Sequence, residues 1–485
     1  MKDYLRLMVI LLTGTVALSA AEKPNFIIFI ADDVSWDDFG CYGNPDVHTP
    51  NIDRIAEEGV LFEKAFLTTS SCSPSRNSIL TGRYPHNTGA AELHTEPPLD
   101  MPSLAGLLQA NGYYTALAGK FHLGEYAMEA FDTVHKDKKL MGDGGEAQWL
   151  QTLEERASDQ PFFFWFASRD GHRPWGPNEF AGTHDPEAIE VPDYLVDAYR
   201  TREDLAHYYD EVTRFDHYIG EVIEQLEAAS LLDDTWIFVL ADNGRAFPAS
   251  KTRINDRGVR TPLVVHAPTV ETPFVYEHLV SVIDLAPTIS ELAGLEPLEG
   301  FQGVSLLPAL QDPAVRLRDY VFAEHNWHDY EAFERMVRSQ DFLYLYNGRP
   351  NKPQLGDAGT VGSPSFYDLL QVKARRSLTM VQADIFVTPR AQEELYDLKL
   401  DPAQWHNRAS DPQYEEALTA LRTELGSWTE MTGDTEPSHL TQDYFLPIPG
   451  YIKTAEYRIR GEMPGAEGAA LSATGQPGVV DAFKR

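Results

Sequence analysis

Apolar runs recur along the chain and set its expected architecture. Residues 25–31 (NFIIFIA), 162–167 (FFFWFA) and 236–241 (WIFVLA) are apolar almost without interruption. Such runs suit strands covered on both faces, since a strand with one wet face would alternate. Shorter runs at 114–118 and 263–266 read the same way. Between them lie stretches with apolar residues at helical spacing, the longest at 202–229. Thr49-Pro50 opens a helix that Gly59 closes, 103–110 forms another that ends at Asn111-Gly112, and a further helix follows Asp284. This alternation predicts an α/β domain with a mainly parallel sheet sandwiched by helices.

Beyond Leu310 the pattern changes. Residues 335–346 alternate as solvent-facing strands do, 394–398 form a further short strand, and 414–428 form a helix. A smaller C-terminal antiparallel sheet with one covering helix is expected. After Tyr457 the chain lacks periodicity and large apolar side chains, which predicts a flexible tail. At the other end, Lys2 and Arg6 precede the apolar residues 7–18, and small Ser19, Ala20 and Ala21 follow. That order reads as a cleaved export signal, too short to span a membrane. The expected division is 1–21 signal peptide, 22–315 main α/β domain, 316–457 C-terminal subdomain and 458–485 flexible tail. The expected location is periplasmic or secreted, or lysosomal in a eukaryote, without stable membrane insertion.

The 485 residues carry 74 Asp and Glu against 40 Lys and Arg, a net charge of −34. Such a surface disfavours nucleic acid and anionic membranes as partners. Only two cysteines occur, Cys41 and Cys72, too few to staple a chain of this length. A bridge between them is the plain alternative to a chemical role for either.

Ionisable residues gather where apolar runs end. Asp32 and Asp33 follow the first run, and Asp242-Asn243 follow the run 236–241. In a parallel sheet the carboxyl ends of strands share one crevice, so these distant pairs can converge. Three carboxylates and an amide oxygen form a hard, all-oxygen set suited to Ca²⁺ or Mg²⁺. Singly, Asp-Asp is equally consistent with helix capping and Asp-Asn-Gly with a turn. Lys120 and His122 follow the run 114–118 after a single Gly, and in extended chain such a pair points to one side. His172 follows the run 162–167, within Gly171-His172-Arg173-Pro174-Trp175, and Lys251 lies nine residues after Asp242.

The most distinctive stretch is Cys72-Ser73-Pro74-Ser75-Arg76. A Cys followed two residues later by Pro and four later by Arg resembles the modification motif of the type I sulfatases, in which the Cys is oxidised to formylglycine. Further landmarks occur in the family order: Thr49-Pro50-Asn51-Ile52-Asp53-Arg54, the stretch 104–124 ending in Gly119-Lys120-Phe121-His122-Leu123-Gly124, Asp242-Asn243-Gly244 and Asp284-Leu285-Ala286-Pro287-Thr288. From residue 25 to about 428 the chain thus resembles the type I sulfatases of the alkaline-phosphatase superfamily, which implies an alkaline-phosphatase-like fold. The resemblance implies Asp32, Asp33, Asp242 and Asn243 as metal ligands, for Ca²⁺ before Mg²⁺, with residue 72 as formylglycine completing the set. It implies Arg76, Lys120, His122, His172 and Lys251 around the sulfate, and a formylglycine-generating maturation enzyme as a partner. Two positions depart from the family pattern. Asp256-Arg257-Gly258 stands where many members have Glu-Gly-Gly, and Gly171 stands where a Pro commonly precedes the His.

Those residue types imply a mechanism. A hydrated aldehyde offers two hydroxyls on one carbon, and one attacks sulfur while the cation, Arg76 and the lysines stabilise the sulfuryl charge. His172, with Lys251 nearby, supplies a proton to the leaving atom, and His122 helps deprotonate the second hydroxyl, which expels sulfate. Within the family, Phe247-Pro248 with Lys251, Met336-Val337-Arg338-Ser339 and Leu395-Tyr396-Asp397 resemble the sulfamidase (heparan N-sulfatase) group. This implies N-sulfoglucosamine at a glycan end, in glycosaminoglycan degradation, with an O-sulfated sugar as the alternative. His325, Trp327 and His328 could line a sugar subsite, and ordinary packing at a domain seam explains them equally well. A phosphodiesterase or phosphonate hydrolase of the same superfamily would share the fold, but Asn243 in place of a metal-binding His favours a single hard cation and sulfate. A non-catalytic glycan-binding protein would need no acid, base and nucleophile together. Repulsion from the −34 body favours short oligosaccharides or terminal residues over long polyanions.

Overall fold

The computed structural model describes residues 23–444 and 460–465. The expected export signal, and the expected tail apart from 460–465, lie outside the described residues. The first unit is built on strands β1 (Asn25–Ala31), β2 (Val60–Phe66), β3 (Tyr114–Gly119), β4 (Thr133–His135), β5 (Phe162–Ala167), β6 (Thr235–Ala241), β7 (Arg260–Thr261), β8 (Leu263–His266) and β9 (Phe274–Ser281). Their order in one sheet is β4-β3-β5-β1-β6-β8-β2-β7, with β9 alongside β2. From β4 to β6 every pairing is parallel, whereas β7 and β8 run antiparallel to their neighbours. The sheet is mixed and mainly parallel, with helices on both sides.

The uninterrupted apolar runs have the expected cause. Along β1, Phe26, Ile28 and Ile30 join a core under the helices Leu104–Ala110 and Leu285–Leu292, while Ile27 and Phe29 join a second core on the opposite face. That second face is covered by the helix Tyr199–Ala228 through Leu205, Val212, Phe215 and Ile219. Successive residues of one strand point to opposite sides, so burial of both sides requires every position to be apolar.

The second unit is an antiparallel sheet of β10 (Val321–His325), β11 (Glu334–Arg338), β12 (Phe342–Asn347) and β13 (Glu393–Asp397), in that order. Its strands are not solvent-facing, which corrects the reading of 335–346. Phe322, Val337, Tyr344 and Leu395 pack under the helix Glu415–Thr432, and Ala323, Met336, Leu343 and Leu345 pack onto the main core. Alternation separates two faces of a sheet; it does not say that water covers one of them. Arg338 pairs with Asp256 at 3.1 Å, joining the two units. Between β12 and β13 the chain returns to the first unit, where Phe366, Leu369 and Ile385 enter the core beside Tyr199–Ala228. Among the described residues no helix is long and apolar enough to cross a membrane.

Candidate active site

The register of the central strands brings the acidic pairs together. Ala31 of β1 lies beside Ala241 of β6, so the residues that follow, Asp32-Asp33 and Asp242-Asn243, emerge as neighbours. The backbone N–H of Asp33 donates to Asp242 Oδ1 at 3.1 Å, and Asn243 Nδ2 donates to Asp33 Oδ1 at 2.6 Å. All four side chains are buried. Three cations converge on them. Lys120, directly after β3, donates from Nζ to Asp32 Oδ2 at 2.5 Å. Arg76 donates from Nε to Asp242 Oδ2 at 2.7 Å and brings Nη2 to 3.7 Å from Asp32. Lys251 Nζ donates to Asp33 at 2.7 Å.

Cys72 sits at the first position of the helix Cys72–Thr81, every residue of which is buried. Its Sγ is 4.0 Å from Asp32 Oδ1 and 3.8 Å from Asp33 Oδ1. Arg76 lies one helical turn further on, which is why a spacing of four places both on the acidic cluster. Burial pushes the Cys72 thiol up to about 12, against the opposing pull of Lys120 and Lys251. A thiol held this high is a poor nucleophile at neutral pH. Cys41 is also unpaired, so no Cys41–Cys72 bridge forms.

The donor set fits a hard cation. Asp32, Asp33 and Asp242 present oxygen ligands without competing nitrogen or sulfur beyond Cys72, and Asn243 Oδ1 is buried with no hydrogen-bond partner. An orphaned buried acceptor on a side chain that touches Asp33 is what a bound cation would satisfy. Backbone strain concentrates here as well. Asp33, His94, His122, Ala249, Thr252 and Asp329 all take left-handed φ values between 35° and 70°, a conformation that such residues hold only where surrounding structure imposes it.

The histidines take distinct places. His122 reaches the cluster by a turn (φ 35°) and not by extended alternation with Lys120, a correction to the expected geometry. Its Nε2 lies 2.9 Å from His94 Nδ1, and burial, then Lys120 and His94, pushes its pKa far down, leaving it neutral. His172, on the loop after β5, donates from Nδ1 to the Arg173 carbonyl at 2.5 Å, which leaves Nε2 free. Gly171 before it has φ 96°, and a Cβ there would lie 2.2 Å from the Asp32 carbonyl oxygen. The departure from Pro follows from this backbone, since Pro is locked near −65°.

The second unit closes one side. Trp327 packs with Leu93 against Cys72, donates from Nε1 to the Gln442 carbonyl at 2.8 Å, and carries the Arg460 guanidinium 4.5 Å above its ring. His328 Nδ1 is 2.7 Å from Ser71 Oγ, and burial with Lys251 holds its pKa well down. His325 stands further back, 3.1 Å from Glu334 Oε2, on a cavity of about 120 Å³ that His328 also lines. Two neighbours escaped the sequence reading. His94 partners His122, and Asp357 faces Lys251 and His328, which hold its carboxyl well below the usual range in spite of burial. Neither lies at a strand end or in a periodic stretch.

Residues 24–295 match the family described as Sulfatase, and residues 250–342 match the family described as N-sulphoglucosamine sulphohydrolase, C-terminal. The chain is 30% identical to N-sulphoglucosamine sulphohydrolase of Homo sapiens over 465 residues, covering 86% of this chain and 92% of that protein. It is 29% identical to an ulvan-active sulfatase of Formosa agariphila over 428 residues, covering 85% and 81%. Two solved structures share the fold. One, at 20% identity with a TM-score of 0.65, is described in complex with its substrate D-glucosamine-2-N,6-O-disulfate and covers 84% of this chain and 98% of that one. The other, phosphonate monoester hydrolase of Agrobacterium radiobacter, is 18% identical with a TM-score of 0.66, covering 84% and 96%. With the family matched over more than half its length, the chain belongs to the sulfatase family of sulfuric ester hydrolases.

Proposed function

We propose that this chain hydrolyses the sulfuryl group of a sulfated sugar through a formylglycine made from Cys72, with terminal N-sulfoglucosamine as the substrate. One observation carries the reading: Cys72 opens a wholly buried helix within about 4 Å of two carboxylates, under three converging cations, as a thiol of little use in itself. A hydrated formylglycine would supply two hydroxyls on one carbon, one to take the sulfuryl group and one to release it. Asp32, Asp33, Asp242 and Asn243 would hold a Ca²⁺ ion, which would neutralise the carboxylates and polarise a sulfuryl oxygen.

The remaining groups have roles that follow from their places. Three carboxylates and three cations balance, so a bound divalent ion gives the site the surplus positive charge that an anionic sulfate needs. Arg76, Lys120 and Lys251 orient the sulfuryl oxygens. With Nδ1–H held by the Arg173 carbonyl, His172 in its imidazolium form would give the Nε2 proton to the leaving nitrogen or oxygen. Neutral His122, backed by His94, accepts a proton from the oxygen at position 72. Trp327 and His328 wall the sugar side.

Likeness to the human N-sulphoglucosamine sulphohydrolase, in the second unit as well as the first, supports the nitrogen-linked substrate. Likeness to the ulvan-active sulfatase supports a second reading, a sulfate ester on a sugar. Sulfate release from N-sulfoglucosamine against O-sulfated glucosamines decides between them. Mass spectrometry of the tryptic peptide ending at Arg76, from protein made in its own host, tests the modification. An unmodified thiol in fully active protein would overturn it.

A further inference from the structure

The loop after β5 that carries His172 also forms one wall of a second cleft, about 380 Å³ in volume. Lys138 and Arg169 line it, and neither side chain has an ion-pair or hydrogen-bond partner among the described residues. That is unusual in a chain of net charge −34, where most other cations are paired. Arg173 lines the cleft too, but it is engaged, bidentate with Asp204 at 2.7 and 2.8 Å and stacked on Trp175.

Two acids complete the lining. Glu211 accepts a hydrogen bond from Asn178 Nδ2 at 2.8 Å, and burial with neighbouring Asp170 pushes its carboxyl up to about 9, so it faces the cleft uncharged at pH 7. Asp143 is exposed. The cleft therefore offers two free cations against one exposed carboxylate, and it opens beside the histidine proposed to protonate the leaving atom.

We infer that Lys138 and Arg169 form a second anion-binding subsite, which holds the carboxylate or sulfate of the sugar residue joined to the one being desulfated. His172 lies at the boundary between the two sites, since the backbone just before it at Gly171 packs against the Asp32 carbonyl oxygen while His172 itself lines the cleft. A saccharide whose cleaved group lies on the catalytic cluster would extend past His172 into this cleft. Arg169, planar and weakly hydrated, can take a carboxylate or sulfate in bidentate fashion, and Lys138 adds a mobile point charge. The subsite turns a locally cationic cleft on an acidic body into a selector for saccharides with a second negative charge. It rests on the proposed sulfatase reading for its orientation, not for its ability to bind an anion.

The test compares a disaccharide of N-sulfoglucosamine and a uronic acid with the same disaccharide after reduction of the carboxyl to an alcohol, in wild type and in the double variant Lys138→Gln/Arg169→Gln. In wild type the uronate is expected to raise kcat/KM by about ten-fold, and the variant to lose that preference while keeping its rate on the monosaccharide within about two-fold. A disaccharide bearing a sulfate ester in place of the uronate separates the two anion sources. Preference for the uronate that survives in the double variant overturns the inference. So does an equal loss on monosaccharide and disaccharide. If wild type desulfates neither substrate, the functional reading fails, and calorimetry with the sulfate-free disaccharides decides the subsite alone. Equal wild-type affinity for the acid and the reduced sugar then overturns it, and a ten-fold preference lost in the variant sustains it.

Discussion

The chemistry proposed at position 72 needs two oxygens on one carbon. Cys72→Ser keeps one hydroxyl, so the variant is expected to release its leaving group at most once per molecule and to retain the sulfuryl group. Intact-mass measurement and single-turnover counting read this, and sustained turnover within about ten-fold of wild type would remove the need for formylglycine. The oxygen cluster makes its own prediction. Ca²⁺ at about one hundred times its Kd is expected to add about 2.7 kcal/mol to folding stability, seen as a rise in Tm that a chelator reverses. Asp242→Asn, which removes one carboxylate from beside the orphaned Asn243 Oδ1, is expected to abolish that rise. Asp32, Asp33, Asp242, Asn243 and Lys120 are legible in the sequence because each follows a run whose two-sided burial marks where a strand ends, whereas Lys251, ten residues past its run, is marked only by the family resemblance. His94 and Asp357 are not, because only the folding of aperiodic loops places them.

Among the elements, the loops after strands do the positioning, and they tolerate little. Gly171→Ala would place a Cβ against the Asp32 carbonyl in a backbone conformation that disfavours it. The expected result is a fall in kcat of about a hundred-fold with the fold retained by circular dichroism, as a displacement of about 1 Å would produce. The small sheet depends on its covering helix. Trp428 is fully buried, stacked on Phe322 at 5.3 Å and edge-on to Tyr84 at 5.1 Å. Trp428→Ala is expected to destabilise the protein by about 3–5 kcal/mol in denaturant titration, through the cavity it leaves. This region also shows where the sequence misleads. The stretch 335–346 reads as a half-exposed strand, yet its adjacent apolar pair breaks that alternation, Val337 meeting the helix and Met336 the main core. Periodicity carries the number of faces and is silent on what covers them.

Over the whole molecule, charge and assembly govern access. Repulsion between a body of −34 and a long polyanion falls with salt, because screening shortens its reach from about 30 Å at 0.01 M to about 8 Å at 0.15 M. At low salt the rate per sulfate is therefore expected to be lower on long sulfated chains than on a disaccharide, and the gap to narrow as salt is added. Equal rates at low salt would show that the acidic surface plays no part in selection. Burial of Cys72, finally, imposes a chronology. In the folded chain residue 72 is only 2% exposed, beneath Trp327 and beside groups contributed by β1, β6 and the loop at Lys251. An enzyme that converts this thiol has to reach it before those later segments dock. The motif leaves the ribosome well ahead of Trp327, so the interval exists during synthesis and ends when the second unit settles. Folded, unmodified protein is thus expected to stay inactive when mixed with a maturation enzyme, and to gain activity only if it is first unfolded.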